Sequence, residues 1–380
     1  MMKNKKNPIG VYIHIPFCVR KCHYCDFLSY PGGMEEQKRY VRLLVREMGN
    51  WQKRFSFPDV DTIFIGGGTP SLLAVEDMDV LLQAVADHFF LKELSEFSLE
   101  CNPGTVTAEK LKLYREAGVS RISIGMQSAV DRELQDLGRI HTCDEFIKCY
   151  QMVRRAGFEN VNIDVMAAIP GQTIQSYEKT LQTVLSLEPE HISSYSLIIE
   201  EGTEFYKRYA KEPPVDEETD RRMYEITGIL LEQAGYQRYE ISNYAKPHRE
   251  CRHNLKYWQR EEYLGIGLGA ASFMEHCRFT NETDMTLYQN MIRNGKCPVS
   301  QTEQLSLEDE MSEFMYLGLR CRKGISARQF YNSFGIRLED RFGEVVKKYV
   351  EQGLLIHEGD CIYLTKRGID VSNLVFEGFI

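Results

Sequence analysis

Cys18-Val19-Arg20-Lys21-Cys22-His23-Tyr24-Cys25-Asp26-Phe27 sets three thiols within eight residues, spaced C-x3-C-x2-C. Sulfur ligands at this density favour iron–sulfur clusters, zinc and copper(I). The count of three is informative. A [4Fe–4S] cube has four irons, so three local ligands leave one iron open. A closed structural zinc site requires a fourth cysteine or histidine. His23 is near, but between two thiols of a tight loop it is poorly placed to turn back onto the same metal. A reduced zinc loop is the competing reading.

Working outward, the loop follows an apolar strand, Val11-Tyr12-Ile13-His14-Ile15-Pro16-Phe17. A helix is expected over Met34 to Phe55, then a strand at Thr62-Ile63-Phe64-Ile65 that runs into Gly66-Gly67-Gly68-Thr69-Pro70. The alternation continues with strands at 97–101, 121–125, 161–165 and 191–197. The helices between them span about 75–90, 108–117, 144–156 and 174–187, two of them ended by Gly118 and Gly157. Six strands alternating with helices predict an α/β fold with a parallel sheet and outer helices, and a curved (β/α)6 partial barrel fits. In such architectures ligands sit at the carboxyl ends of the strands. The cysteine loop, Gly66–Thr69, Glu100, Gln127 and Asp164 all lie at or just past those ends.

The chain has 380 residues, enough for two or three domains, with 43% hydrophobic and 27% charged residues. A net charge of −9 argues against a broad nucleic-acid-binding face. Eleven cysteines in a chain this long do not read as a disulfide scaffold, and the count is odd. The basic opening Met1-Met2-Lys3-Asn4-Lys5-Lys6 is followed by only a short apolar segment, so neither a signal peptide nor a membrane span is expected. A cytoplasmic, reducing compartment is consistent with these thiols.

Beyond the sixth strand, 200–220 is acidic with Pro213-Pro214 and reads as a connector. A helix is expected over 218–234 and a strand over 239–244. Gly265-Ile266-Gly267-Leu268-Gly269 lacks the context of a dinucleotide fingerprint. Helices over 307–319, 326–334 and 338–352, then a hairpin of 353–356 with 361–364, predict a winged-helix-like C-terminal module. Its acidic residues Glu339, Asp340 and Glu344 argue against DNA binding, and a lid or docking face for the barrel is the better expectation.

The cysteine loop behind the strand "YIHIPFC" resembles that of the radical S-adenosylmethionine (SAM) superfamily. Within it, the wording is similar to the branch holding oxygen-independent coproporphyrinogen III oxidases (HemN) and the HemW heme chaperones. The resemblance covers nearly the whole chain. It implies a [4Fe–4S] cluster on Cys18, Cys22 and Cys25, whose open iron chelates the amino and carboxylate groups of SAM. It further implies SAM contacts from Tyr12, Tyr24, Gly67, Gly68, Thr69, Glu100, Gln127, Arg139 and Asp164. His253-Asn254-Leu255-Lys256-Tyr257-Trp258 resembles the H-N-x-x-Y-W motif of the chaperones, which implies a heme contact at His253. The implied domains are a radical SAM core over 1–235, a barrel extension carrying this motif over 236–300, and the C-terminal module over 301–380.

Phe27 stands where the oxidases carry a further cysteine, and only 17 residues precede Cys18. Both features, with H-N-x-x-Y-W, favour the chaperone side. The implied function is binding heme and passing it to heme-dependent proteins such as respiratory-chain hemoproteins, without coproporphyrinogen oxidase activity. The enzymatic alternative is radical decarboxylation of coproporphyrinogen III. A homodimer is left open. Two departures from the family pattern stand out. Ala167-Ala168 replaces an aromatic and a glycine before Ile169-Pro170-Gly171-Gln172-Thr173, and Ala271 replaces a histidine in Gly269-Ala270-Ala271-Ser272.

Overall fold

A computed structural model describes residues 7–54, 58–92 and 94–380. The basic opening at 1–6 and the expected last helical residue, Phe55, lie outside the described residues. Strand β1 (Ile9–Ile15) leads into the cysteine loop, whose ends pair as β2 (Phe17–Cys18) and β3 (Tyr30–Pro31). Then α1 (Met34–Arg54), β4 (Val60–Gly67), α2 (Val75–His88), β5 (Glu96–Cys101), α3 (Ala108–Glu116) and β6 (Arg121–Gln127) follow. The short α4 (Asp131–Asp136) precedes α5 (Cys143–Arg155), β7 (Val161–Ala167), α6 (Ile174–Ser186) and β8 (His191–Ser196). β1, β4, β5, β6, β7 and β8 are neighbours in that order and all parallel, which is the expected six-stranded arc.

The register separates two faces. Ile63, Ile65, Leu99, Ile122, Ile124, Val161, Ile163 and Ile192 have no exposed surface and pack under the helices against Leu44, Leu81, Leu111, Phe146 and Leu181. Each such side chain contributes about 1.5–3 kcal/mol by leaving water. The alternate positions point inward and are mostly polar: Thr62, Ser98, Glu100, Ser123, Asn162, Asp164 and Ser193. An all-parallel sheet buried on both faces ordinarily reads as unbroken hydrophobic strands. The alternation here reflects a polar lumen.

The stretch expected as a connector contains a helix, α7 (Glu204–Tyr209), capped by Thr203 and anchored by buried Phe205. After α8 (Glu217–Gln233), the strand expected over 239–244 is instead a tight hairpin of β9 (Gln237–Arg238) and β10 (Asn243–Ala245). The buried Glu240 carboxylate closes it by accepting hydrogen bonds from the Ser242 N–H and the Asn243 amide. The H-N-x-x-Y-W motif forms α9 (Arg252–Trp258). β11 (Tyr263–Ile266) adds a seventh parallel strand beside β1. β12 (Ala271–Met274), β13 (Cys277–Asn281), α10 (Met285–Arg293) and β14 (Val299–Gln304) continue that edge as an antiparallel meander. Residues 236–300 thus extend both edges of the barrel sheet.

A separate hydrophobic cluster, Met311 to Phe379, holds the C-terminal module together. It comprises α11 (Leu307–Arg320), β15 (Ile325–Ser326), α12 (Ala327–Phe334), α13 (Leu338–Glu351), β16 (Leu355–Glu358), β17 (Cys361–Leu364), α14 (Lys366–Asp370) and α15 (Ser372–Glu377). The hairpin's first strand starts two residues later than expected, because Gly353 turns the chain at a φ of 70° after α13.

Ala168, standing where the family pattern has glycine, holds a left-handed φ of 57°. That conformation costs an L-residue roughly 1–2 kcal/mol, while glycine's extra freedom in the unfolded chain offsets about 0.4–1 kcal/mol. Ala168→Gly is therefore expected to stabilise the protein by about 0.5–1 kcal/mol. Anaerobic urea unfolding reads this as a higher midpoint. An unchanged or lower midpoint would mean that the Ala168 methyl contributes more by packing than its backbone loses.

Candidate cofactor site at the barrel mouth

One cavity at the carboxyl ends of the strands is lined by Cys18, Cys22, Tyr24, Cys25, Gly67, Gly68, Thr69, Glu100, Gln127, Arg139 and Asp164. Two of the expected residues are not there. Tyr12 lies deeper in the lumen, against Phe64, with its hydroxyl 2.9 Å from His14 Nδ1. His253 is not among the residues that line the cavity.

The cysteine loop is fixed from below by two elements remote in sequence. Arg20 donates to the Gly138 carbonyl at 2.9 Å, and the His23 backbone N–H donates to the Leu137 carbonyl at 3.0 Å. His23 Nδ1 lies 2.9 Å from the Asp136 carbonyl, which turns its ring away from the thiols as expected. The Phe205 N–H of α7 reaches the His23 carbonyl at 2.9 Å. Among the described residues no group of three His, Cys, Asp or Glu side chains converges on a point that could hold a single metal ion. Three thiols around one cavity without a common centre suit a polynuclear cluster, whose irons occupy separate corners. Burial pushes the Cys18 and Cys25 thiols up, and the Thr69 hydroxyl, 3.7 Å from Cys18 Sγ, works the other way.

The glycine turn must be glycine. A β-carbon at Gly68 would lie 2.7 Å from the Phe17 carbonyl oxygen and 3.0 Å from Cys18 Sγ. One at Gly67, whose φ is 111°, would strike the His14 ring at 2.6 Å. The backbone of this turn therefore closes directly over the first thiol.

Glu100 accepts a hydrogen bond from the Gly67 N–H at 3.0 Å, yet its carboxyl is pushed up to about 8 by burial and by the facing Asp164 carboxylate. Arg121 offsets this only in part. Asp164 is also raised, chiefly by burial, although Asn162 donates to it at 2.7 Å and Ser123 at 3.3 Å. Two carboxylates in one enclosure without a full complement of cations fit a ligand that brings positive charge. Arg139 closes the far side, donating to Asn102 Oδ1 at 2.6 Å and to the Gly125 carbonyl at 2.9 Å, with Nη1 4.0 Å from Cys22 Sγ.

Sequence reading missed Asn102, which links Arg139 to Thr69 by donating to Thr69 Oγ1 at 2.9 Å. Its place just past the end of β5 was the available signal. It also missed His141, which lines the cavity and is pushed down to about 4 by burial and by Arg139.

His253 has no exposed surface. It points into the lower end of the lumen, its Nδ1 3.0 Å from Thr62 Oγ1 and its Nε2 2.8 Å from the Tyr257 hydroxyl. Burial and Lys256 push it down to about 3, so the ring is neutral. With both nitrogens engaged, it is not offered to an external ligand in this conformation. Ala271, where the family pattern has histidine, is exposed at the start of β12.

Two outcomes are expected. Gly68→Ala displaces the first thiol, so reconstituted protein should hold less iron and sulfide per chain while far-ultraviolet circular dichroism stays unchanged. Full iron content would show that the turn can shift. For Glu100, the folded carboxyl binds its proton up to about pH 8 whereas the unfolded one loses it near 4.5. The stability this confers is lost as pH rises between those values. Glu47, raised to about 7 by burial, acts with the same sign. Cluster-free, SAM-free protein should thus lose melting temperature from pH 5 to pH 9, and Glu100→Gln should lose less. Parallel curves for the two proteins would refute the assignment.

A radical SAM superfamily model matches residues 12–184, and a HemN C-terminal domain model matches residues 305–371. The heme chaperone HemW of Bacillus subtilis is 39% identical, covering 98% of this chain and 99% of that protein. The heme chaperone HemW of Escherichia coli is 36% identical, covering 99% of each. The solved structure of coproporphyrinogen III oxidase (HemN) from Escherichia coli, a radical SAM enzyme, superposes with a TM-score of 0.86 over 100% of this chain and 91% of that one. At 21% identity, that likeness concerns the fold alone. A barrel mouth with three thiols and a glycine turn, and full-length identity above 30%, lead to one conclusion: the chain belongs to the radical SAM superfamily and, within it, to the HemW family.

Proposed function

We propose that the chain is a heme chaperone that binds heme and passes it to heme-dependent proteins such as respiratory-chain hemoproteins. The observation that carries this reading is the end-to-end similarity to heme chaperones, from the cysteine loop to the C-terminal module. In this reading Cys18, Cys22 and Cys25 hold a [4Fe–4S] cluster with one open iron. Bound there, SAM and the cluster supply one-electron chemistry.

The chain's own residues prepare that site. The Glu100 carboxylate accepts from the amino end of SAM, and Arg139 pairs with its carboxylate. Gly67 and Gly68 let the backbone approach, and Thr69 orients beside the first thiol. Gln127 and Asp164 hold ribose hydroxyls, and Tyr24 walls the cavity. Tyr12 acts at one remove, by fixing His14 beneath Gly67. Among the described residues no helix is long and apolar enough to cross a membrane.

Anaerobic titration of reconstituted protein with hemin tests the chaperone reading. Saturable binding with a Soret shift, and delivery to an apo-hemoprotein, is the expected result. Absence of binding together with SAM-dependent loss of propionate carboxylates from coproporphyrinogen III would replace it with the oxidase reading. For the SAM site, Glu100→Gln should weaken SAM binding by about 10-fold or more, since a charge-assisted hydrogen bond contributes roughly 1.5–3 kcal/mol. Because the cation requires ionised Glu100, wild-type SAM affinity should rise as pH passes about 8, and Glu100→Gln should abolish that rise. Equal SAM affinity in both proteins at all pH values would remove Glu100 from the site.

A further inference from the structure

A wide cleft lies between the outward face of α9 and the C-terminal module. It encloses about 1210 Å³, against about 160 Å³ for the thiol cavity by the same measure. Ligand sites typically span roughly 300–1,000 Å³, and the cleft is large enough to admit a porphyrin.

The two faces of α9 divide the motif. His253 and Lys256 are buried against the barrel. Arg252, Leu255 and Trp258, spaced three apart, line the cleft, and Phe314 of α11 faces them across it. The indole N–H of Trp258 is enclosed with no acceptor among the described residues.

The charge there departs from that of the chain, whose net charge is −9. Arg260 is neutralised by Glu310 and Glu313, and Glu261 by Lys256. Arg238 lies between the Tyr224 and Tyr244 rings, and Arg322 is 3.9 Å from Glu232. What remains on the walls is Arg252 and Lys323, neither with an ion-pair partner among the described residues, against the single carboxylate of Glu250. His248 completes the rim. It is exposed, stands on a left-handed backbone at a φ of 66°, and its ring nitrogens have no hydrogen-bond partner among the described residues.

We propose that this cleft, and not the lumen around His253, is where heme is held. The macrocycle lies on Leu255, Phe314 and the face of Trp258 opposite the Arg320 guanidinium, which covers the other at 4.3 Å. Arg252 and Lys323 meet the two propionates, and His248 ligates the iron. The proposal rests on the heme-chaperone reading and deepens it by assigning the site.

The test uses the full-length, cluster-loaded protein and hemin as the probe. Wild type is compared with His248→Ala, with the double variant Arg252→Glu/Lys323→Glu, and with His253→Ala. Cluster absorbance and circular dichroism serve as controls for folding. His248→Ala should move the Soret band and weaken binding at least 10-fold. The charge-reversed variant should bind more weakly still, and wild type should bind hemin dimethyl ester, which lacks ionised propionates, less tightly than hemin. His253→Ala, where it folds, should keep the wild-type Soret position. Wild-type spectra and affinities in both cleft variants would overturn the cleft while leaving the chaperone reading intact. No hemin binding by wild type would overturn that reading, and the cleft with it.

Discussion

The carboxylates on the inner wall of the barrel must find positive charge or donors, and the arrangement of the molecule follows from how each one does so. At the lower end, buried Glu96 accepts hydrogen bonds from the backbone N–H groups of Arg252 at 2.9 Å and His253 at 3.2 Å, and from Ser98 Oγ at 3.1 Å. The Cys251 thiol lies 3.4 Å away. A carboxylate left unpaired in that position would cost several kcal/mol. The first turn of α9 therefore closes the bottom of the barrel. At the upper end, Glu100 and Asp164 face each other with only donors and distant Arg121 to offset them. One end is satisfied by the chain itself, and the other keeps two raised carboxyls.

The same closure explains the position of the H-N-x-x-Y-W motif. Its histidine is a structural plug of the lumen, stacked 5.5 Å from Phe64, which in turn lies 6.2 Å from Tyr12. Tyr257 continues the column at 5.1 Å from His253, and Trp258 follows at 6.5 Å on the cleft side. A continuous set of rings thus runs from beneath the glycine turn to the interface with the C-terminal module.

The cysteine loop is held by distant chain segments as well as by itself. Its own contacts include the Cys25 N–H to the Cys22 carbonyl at 3.3 Å, Lys21 Nζ to the Phe27 carbonyl at 2.8 Å and the Tyr30 N–H to the Pro16 carbonyl at 2.9 Å. The Asp136–Gly138 turn and α7 supply its other anchors. Loops that hold cofactors are commonly positioned by a rigid scaffold in this way.

The six-strand period, the outer helices and the position of Cys18, Gly67, Glu100, Gln127 and Asp164 at strand ends were legible in the sequence, because βα alternation and glycine turns are local patterns. So was the C-terminal module, whose helices carry clear amphipathic spacing. The sequence could not place β11 beside β1, because pairing between residues some 250 apart leaves no local mark: Gly10 meets Tyr263. Nor could it show which face of α9 turns inward. His253 reads as an available imidazole from its motif. The carboxylate of Glu96, 157 positions away, fixes the helix with that ring buried and leaves Arg252 and Trp258 to the cleft. Residue types and their spacing therefore determined the fold and which residues gather at the barrel mouth. Tertiary packing alone decided which side chains are reachable, because compensating buried charge is a property of the assembled lumen and not of any one segment.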